Sequence, residues 1–191
     1  RVFENVSGVW SQIGSDINGE NANEWCGFSV SINSSGNIIA VGAPYHNGEG
    51  KVRVFENISG VWTEIGSGIE GFYPTTGGGK EISLNSSGNI IAIAAPNLTT
   101  YQWNGSWVTN KGYVRIFENI SGVWTQIGAD INGQSNGDQF GHSLSLNSSG
   151  NIIAISSPVH NGEGEVKVFE NISGVWTQNG NDINGQSSGE Y

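Results

Sequence analysis

The chain has 191 residues, 36% of them apolar and only 13% charged, with 30 glycines and four prolines. That balance excludes a helical protein, which would be richer in strong helix formers, and points to an all-β chain full of turns. Seventeen acids against seven bases give a formal charge of −10, which repels phosphate backbones and anionic bilayers and removes nucleic acid from the expected partners.

The first element runs from Val2 to Trp10 and reads Val-Phe-Glu-Asn-Val-Ser-Gly-Val-Trp. Nearly the same block returns at Val54 to Trp62, at Ile116 to Trp124 and at Val168 to Trp176, so Trp10, Trp62, Trp124 and Trp176 stand 52, 62 and 52 residues apart. A period of this length signals a solenoid, a propeller or an array. The first full repeat predicts strands over Gly27 to Asn33, Asn37 to Val41, Lys51 to Glu56 and Val61 to Ile65. The second predicts Gly79 to Asn85 and Asn89 to Ala94, after which the connection swells into an insertion at 97–112. In the third, Gly141 to Asn147 alternates small polar with larger side chains, Asn151 to Ile155 is an apolar run, and Glu165 to Glu170 and Val175 to Gln178 complete the set.

Short turns join these strands, so they form antiparallel meanders, because parallel pairing needs crossovers of a dozen residues or more. One such sheet is a propeller blade. A linear β-solenoid would have shorter coils, and a β-sandwich does not repeat internally in this way. The expected fold class is therefore all-β, a β-propeller-type array of about three and a half four-stranded antiparallel blades. Residues 1–17 give an outer half-blade of two strands, 18–69 the first blade, 70–131 the second with its insertion, and 132–183 the third, while 184–191 open a link to a further blade.

Phe140-Gly141 with Ser143, and Gly42-Ala43-Pro44 after the second strand, resemble the FG-GAP repeat of integrin-alpha-type propellers. The pattern is degenerate at Cys26-Gly27 and Gly78-Gly79, and at Ala94-Ala95-Pro96 and Ser156-Ser157-Pro158. The blocks Gly-Val-Trp-Thr-Gln-Ile-Gly and Asn-Ser-Ser-Gly-Asn-Ile-Ile-Ala resemble long secreted or surface proteins of flavobacteria and their relatives. These resemblances imply an extracellular binding or adhesive role. Many FG-GAP blades hold calcium between their first two strands through an Asp-x-Asp-x-Asp-Gly pattern. Here those turns read Asn33-Ser34-Ser35-Gly36, Asn85-Ser86-Ser87-Gly88 and Asn147-Ser148-Ser149-Gly150, with no carboxylate, so calcium is not expected there.

Weak metal candidates remain in the links, at Asp130, Asn132 and Asp138, although Asp-x-Asn-Gly is also ordinary turn chemistry. The repeated tryptophans are expected to pack between blades rather than to stack on sugars. Tyr101, Trp103 and Trp107 lie in the insertion and do not repeat, which makes them a candidate ligand patch, with a self-packed hairpin flap as the alternative. His46 and His160 are expected in solvated turns and His142 packed in a strand. Cys26 is the single cysteine, so it has no disulfide partner in the chain, and it is expected to be small and buried. Asn-x-Ser/Thr triplets offer possible N-glycosylation at Asn5, Asn57, Asn97, Asn104, Asn119 and Asn171, although the same residues favour turns on conformational grounds.

No Ser-His-Asp order, phosphate loop or zinc spacing emerges, so no enzymatic activity and no cofactor are expected. The longest apolar runs, such as Ile38 to Val41 and Ile90 to Ala95, are too short to span a bilayer, so no membrane insertion is expected. The expected function is a secreted or cell-surface propeller segment that binds proteins, glycans or surfaces. The alternatives are a structural repeat that self-associates into a fibre or coat, and a secreted lectin.

Overall fold

The computed structural model describes residues 1–71, 78–96, 99–101, 107–109 and 111–187. In chain order its strands are β1 (Phe3–Val6), β2 (Val9–Gln12), β3 (Ser29–Ile32), β4 (Ile38–Ala43), β5 (Lys51–Ile58), β6 (Val61–Glu64), β7 (Ile69–Glu70), β8 (Glu81–Leu84), β9 (Ile90–Ala95), β10 (Thr99–Tyr101), β11 (Trp107–Thr109), β12 (Tyr113–Ile120), β13 (Val123–Gln126), β14 (Ile131–Asn132), β15 (Leu144–Leu146), β16 (Ile152–Ser157), β17 (Glu165–Ile172), β18 (Val175–Gln178) and β19 (Ile183–Asn184). Three antiparallel meanders run β3-β4-β5-β6, β8-β9-β12-β13 and β15-β16-β17-β18, and β1 pairs with β2 as a half-blade. Each meander carries one element beyond the four expected strands. The short strands β7, β14 and β19 pair with the start of β5, β12 and β17, so the outer edge of each blade is one strand broken by the link. Among the described residues no helix is long and apolar enough to cross a membrane.

The turns explain why the sequence folds this way. In the outer hairpins the side-chain oxygens of Asn5, Asn57, Asn119 and Asn171 accept the amides of Gly8, Gly60, Gly122 and Gly174 at 2.8–2.9 Å, which closes an Asx-type turn. In the inner turns Asn33 accepts the Ile38 amide, and Asn85 and Asn147 do the same for Ile90 and Ile152. The repeated asparagines thus have conformational work.

The core lies between the sheets rather than within any one of them. Ala40, Val52, Val54 and Ile69 of the first blade pack with Ile82, Leu84, Ile91 and Ile93 of the second. Ala92, Ala94, Val114 and Ile116 of the second pack with Leu144, Ile153, Ile155 and Phe140 of the third. This is how repeat units that cannot bury an apolar face alone become stable. The tryptophans bind each junction. Trp62 Nε1 donates to the Ile13 carbonyl, Trp124 Nε1 to Ile65 and Trp176 Nε1 to Ile127, at 2.9–3.0 Å. Gly66 sits at φ +71°, and a Cβ there would collide with the Gly122 carbonyl of the next blade, so the close approach requires glycine.

The inner strands are tied as well. Ser31 and Ser83 hydroxyls accept the amides of Leu84 and Leu146, and the Ser34 and Ser86 amides donate to the Ser86 and Ser148 carbonyls. Apolar groups lie open at both outer sheets. Val30 is 71% exposed where its counterpart Ile82 is 5%, and Ile183 is 60% exposed where Ile69 is 7%.

Candidate functional site

The β4–β5 connection passes through a short 3-10 turn at His46–Gly48, with Asn47 in the left-handed region at φ 49°, and His160–Gly162 repeats this in the third blade. Both histidines are buried, 4% and 8% exposed, which corrects the expectation of solvated turns. His46 Nδ1 lies 2.6 Å from Glu24 Oε2, and His160 Nδ1 lies 2.7 Å from Asp138 Oδ2. A buried carboxylate is costly unless hydrogen-bonded, and each has further donors. The Glu20 and Asn21 amides reach Glu24, and the Ser135 amide reaches Asp138. Burial opposes ionisation of Glu24, but the His46 hydrogen bond and the two amides outweigh it and hold the carboxyl below its ordinary value.

These pairs clamp two loops together. Glu24 belongs to the link before β3 and His46 to the turn after β4, and the Tyr45 amide also donates to the Glu24 carbonyl at 3.2 Å. Beside this clamp in the first blade stands an aromatic cluster that the sequence reading missed. Trp25, at φ +57°, stacks near-parallel to Phe28, 6.0 Å apart at 19°, and meets Tyr45 edge-on at 4.5 Å and 71°. They are 56%, 52% and 45% exposed. The available signal was a comparison between copies, since the same positions in the third repeat hold Gln139, His142 and Val159. His142 is exposed rather than packed as expected, and Val159 is exposed too, although the second blade is packed against the third. Exposure therefore belongs to this rim of the fold.

The metal candidates are not brought together. The Asp130 oxygens each lie 2.8 Å from the Arg115 guanidinium, whose hydrogen bonds hold the Asp130 carboxyl below its usual value. Asn132 turns its amide to the Asp130 carbonyl, and Asp138 is occupied by His160. The Asp130 pair is itself part of the repeat, matched by Arg1–Asp16, Arg53–Glu64 and Lys167–Asp182. Where Gly68 replaces the link carboxylate, Glu64 replaces the glutamine of the other copies and receives the cation instead. Among the described residues no group of three or more His, Cys, Asp or Glu could hold a metal ion.

Of the insertion, Tyr101 and Trp107 are register partners in the β10–β11 hairpin, while Trp103, Asn97 and Asn104 lie outside the described residues. Cys26 is half-buried, next to an open groove of about 380 Å³ lined by Val2, Ile17, Val30, Ile39 and Val41.

No protein-family profile and no curated protein sequence matches the chain. Solved structures do. A candidate 6-phosphogluconolactonase from Bacteroides fragilis superposes with a TM-score of 0.55 at 18% identity over 82% of this chain. Another from Bacteroides uniformis gives 0.54 at 14% over 82%, and a eukaryotic initiation factor gives 0.57 at 12% over 92%. The fold is that of a β-propeller. The chain spans 38%, 40% and 36% of the lengths of those three propellers. The expectation of no enzymatic activity is corrected by this comparison, because the same fold is carried by two proteins named as candidate lactonases. A linear motif search is blind to the groups that a propeller gathers from several blades.

Proposed function

We propose that this chain is a secreted or cell-surface β-propeller segment of the FG-GAP kind that binds other proteins, glycans or surfaces. One observation carries the reading. The repeated side chains are absorbed by turns, junctions and clamps, whereas Trp25, Phe28 and Tyr45 are exposed, do not repeat and have no counterpart that the scaffold needs. Exposed aromatics gathered on one rim of a rigid scaffold mark a contact surface. The signature residues support the FG-GAP likeness by their places: Phe140 is 1% exposed at a blade junction, and Gly42 leaves no room for a Cβ against Gly79.

The test is saturable binding of the fluorescently labelled chain to intact cells and to beads coated with polysaccharide or extracellular protein. Saturable binding to at least one is expected, and its absence from all overturns the reading. A second reading, a structural repeat that self-associates, draws on the open apolar groups at both outer sheets, Val30 and Ile32 on one side and Ile183 on the other. Concentration-dependent filaments in light scattering would favour it, and a monodisperse species would remove it.

A further inference from the structure

We propose that Trp25, Phe28 and Tyr45 form a platform for a neutral carbohydrate chain, with a sugar ring lying on the aromatic surface. This rests on the reading of the chain as a binding segment and specifies its ligand.

Three observations lead there. First, the aromatics are not part of the scaffold. The third blade builds the same turn and the same buried His–carboxylate clamp with Gln139, His142 and Val159 in their places. Large aromatic rings left half in water forgo their burial energy, so their presence in one copy alone calls for a partner. Second, the platform is pre-organised. The His46–Glu24 bond and the Tyr45–Glu24 backbone bond join the two loops, and the Phe28 amide closes a turn on the Trp25 carbonyl at 3.1 Å. Rings fixed before the ligand arrives lose little entropy on binding.

Third, the surroundings select the chemistry. Exposed amide side chains flank the rings in sequence, Asn23 before Trp25 and Asn47 after Tyr45, while the Asn21 amide lies 3.4 Å from His46 Nδ1. An amide offers both donors and acceptors, which suits hydroxyl groups. The neighbouring cation, Lys51, is committed to Glu20 at 2.8 Å and Glu70 at 3.2 Å, and the chain carries a charge of −10, so sulfated or carboxylated ligands are disfavoured. A pyranose ring has an apolar C–H face for the aromatics and a rim of hydroxyls for the amides.

The experiment titrates the chain with neutral hexasaccharides of the cello-, manno-, xylo- and β-1,3-gluco- series, reading tryptophan fluorescence and isothermal heats, with sulfated oligosaccharides and an apolar peptide as comparators. At least one neutral series is expected to bind. Trp25→Ala and Tyr45→Ala should each weaken it tenfold or more, while Trp25→Phe should keep part of the affinity and Trp10→Ala, which removes an exposed but isolated indole, should change nothing. Unchanged unfolding midpoints verify that the variants fold. No neutral series binding, stronger binding of the sulfated chains or the peptide, or equal affinity in Trp25→Ala would each overturn the proposal. If the labelled chain still holds cells or beads while Trp25→Ala holds them equally, this platform falls and the binding function stands.

Discussion

The first and third blades share a meander, a His-Asn-Gly-Glu-Gly turn, a buried His–carboxylate clamp and an indole reaching back to the preceding carbonyl. They differ in the residues around the clamp. The third blade has Phe140 fully buried against Phe169, with ring centroids 6.4 Å apart, where the first has half-buried Cys26. The first has Trp25, Phe28 and Tyr45 in water where the third has Gln139, His142 and Val159. One chain thus performs its own control experiment. What recurs is needed for folding, and what appears once has been added to a fold that stands without it.

The largest effect should come from exchanging the buried pair. Phe140→Cys is expected to lose about 3 kcal/mol in denaturant unfolding, through lost burial and a cavity at the second junction. Cys26→Phe should raise stability by about 1 kcal/mol, because the adjoining groove has room for the ring. A loss on that substitution would show that the groove is not free to accept it.

The clamps come next. His46→Ala and His160→Ala each leave a buried carboxylate with one hydrogen bond fewer and should cost about 2 kcal/mol. In the first blade the loss should also weaken ligand binding at the aromatic platform, which separates the two clamps in function though not in structure. A pH scan sharpens this further. The Glu24 carboxyl is held below its ordinary 4.5 in the folded chain, so the unfolded chain takes up its proton first as pH falls. The stabilisation is fully present above about pH 4.5 and is lost as pH drops through the depressed folded value. Glu24→Gln should reduce the fall in melting temperature over that acid range, with Asp130 and other lowered carboxyls supplying the rest, and an unaltered slope would remove Glu24 as a contributor.

The smallest effect on stability should be that of Trp25→Ala, within about 0.5 kcal/mol, although it is expected to weaken binding tenfold or more. A large destabilisation would mean that the rings brace the blade.

Much of the architecture was legible because it repeats. The 52-residue spacing, the period-two strands and the Asn-x-Ser-Gly turns gave the meanders, and β18 falls on Val175–Gln178 as expected. The fifth short strands were not legible, because two residues such as Ile69-Glu70 have no periodicity to detect. The histidines were misread for a related reason. A His-Asn-Gly-Glu-Gly segment looks solvated on composition, and its burial is decided by Glu24 and Asp138, each 22 residues away in sequence. The role of Asp130 is not legible either, because Arg115, which holds it, stands 15 residues away in sequence. The aromatic cluster was hidden because Trp25 and Tyr45 are separated by a hairpin, and only copy-to-copy comparison sets them apart.

The indole and leucine-amide contacts at the junctions share one direction, and the Ser34 and Ser86 amides donate in the other. Trp62, Trp124, Trp176, Leu84 and Leu146 donate backwards from the later blade, and the carbonyls and hydroxyls that accept belong to the earlier one. The array therefore has polarity, like a protofilament with unlike ends. A single kind of seam serves every addition, so duplication of one unit lengthens the protein without inventing a new interface. Because each unit contacts only its neighbours, stability is shared between single units and the seams that join them.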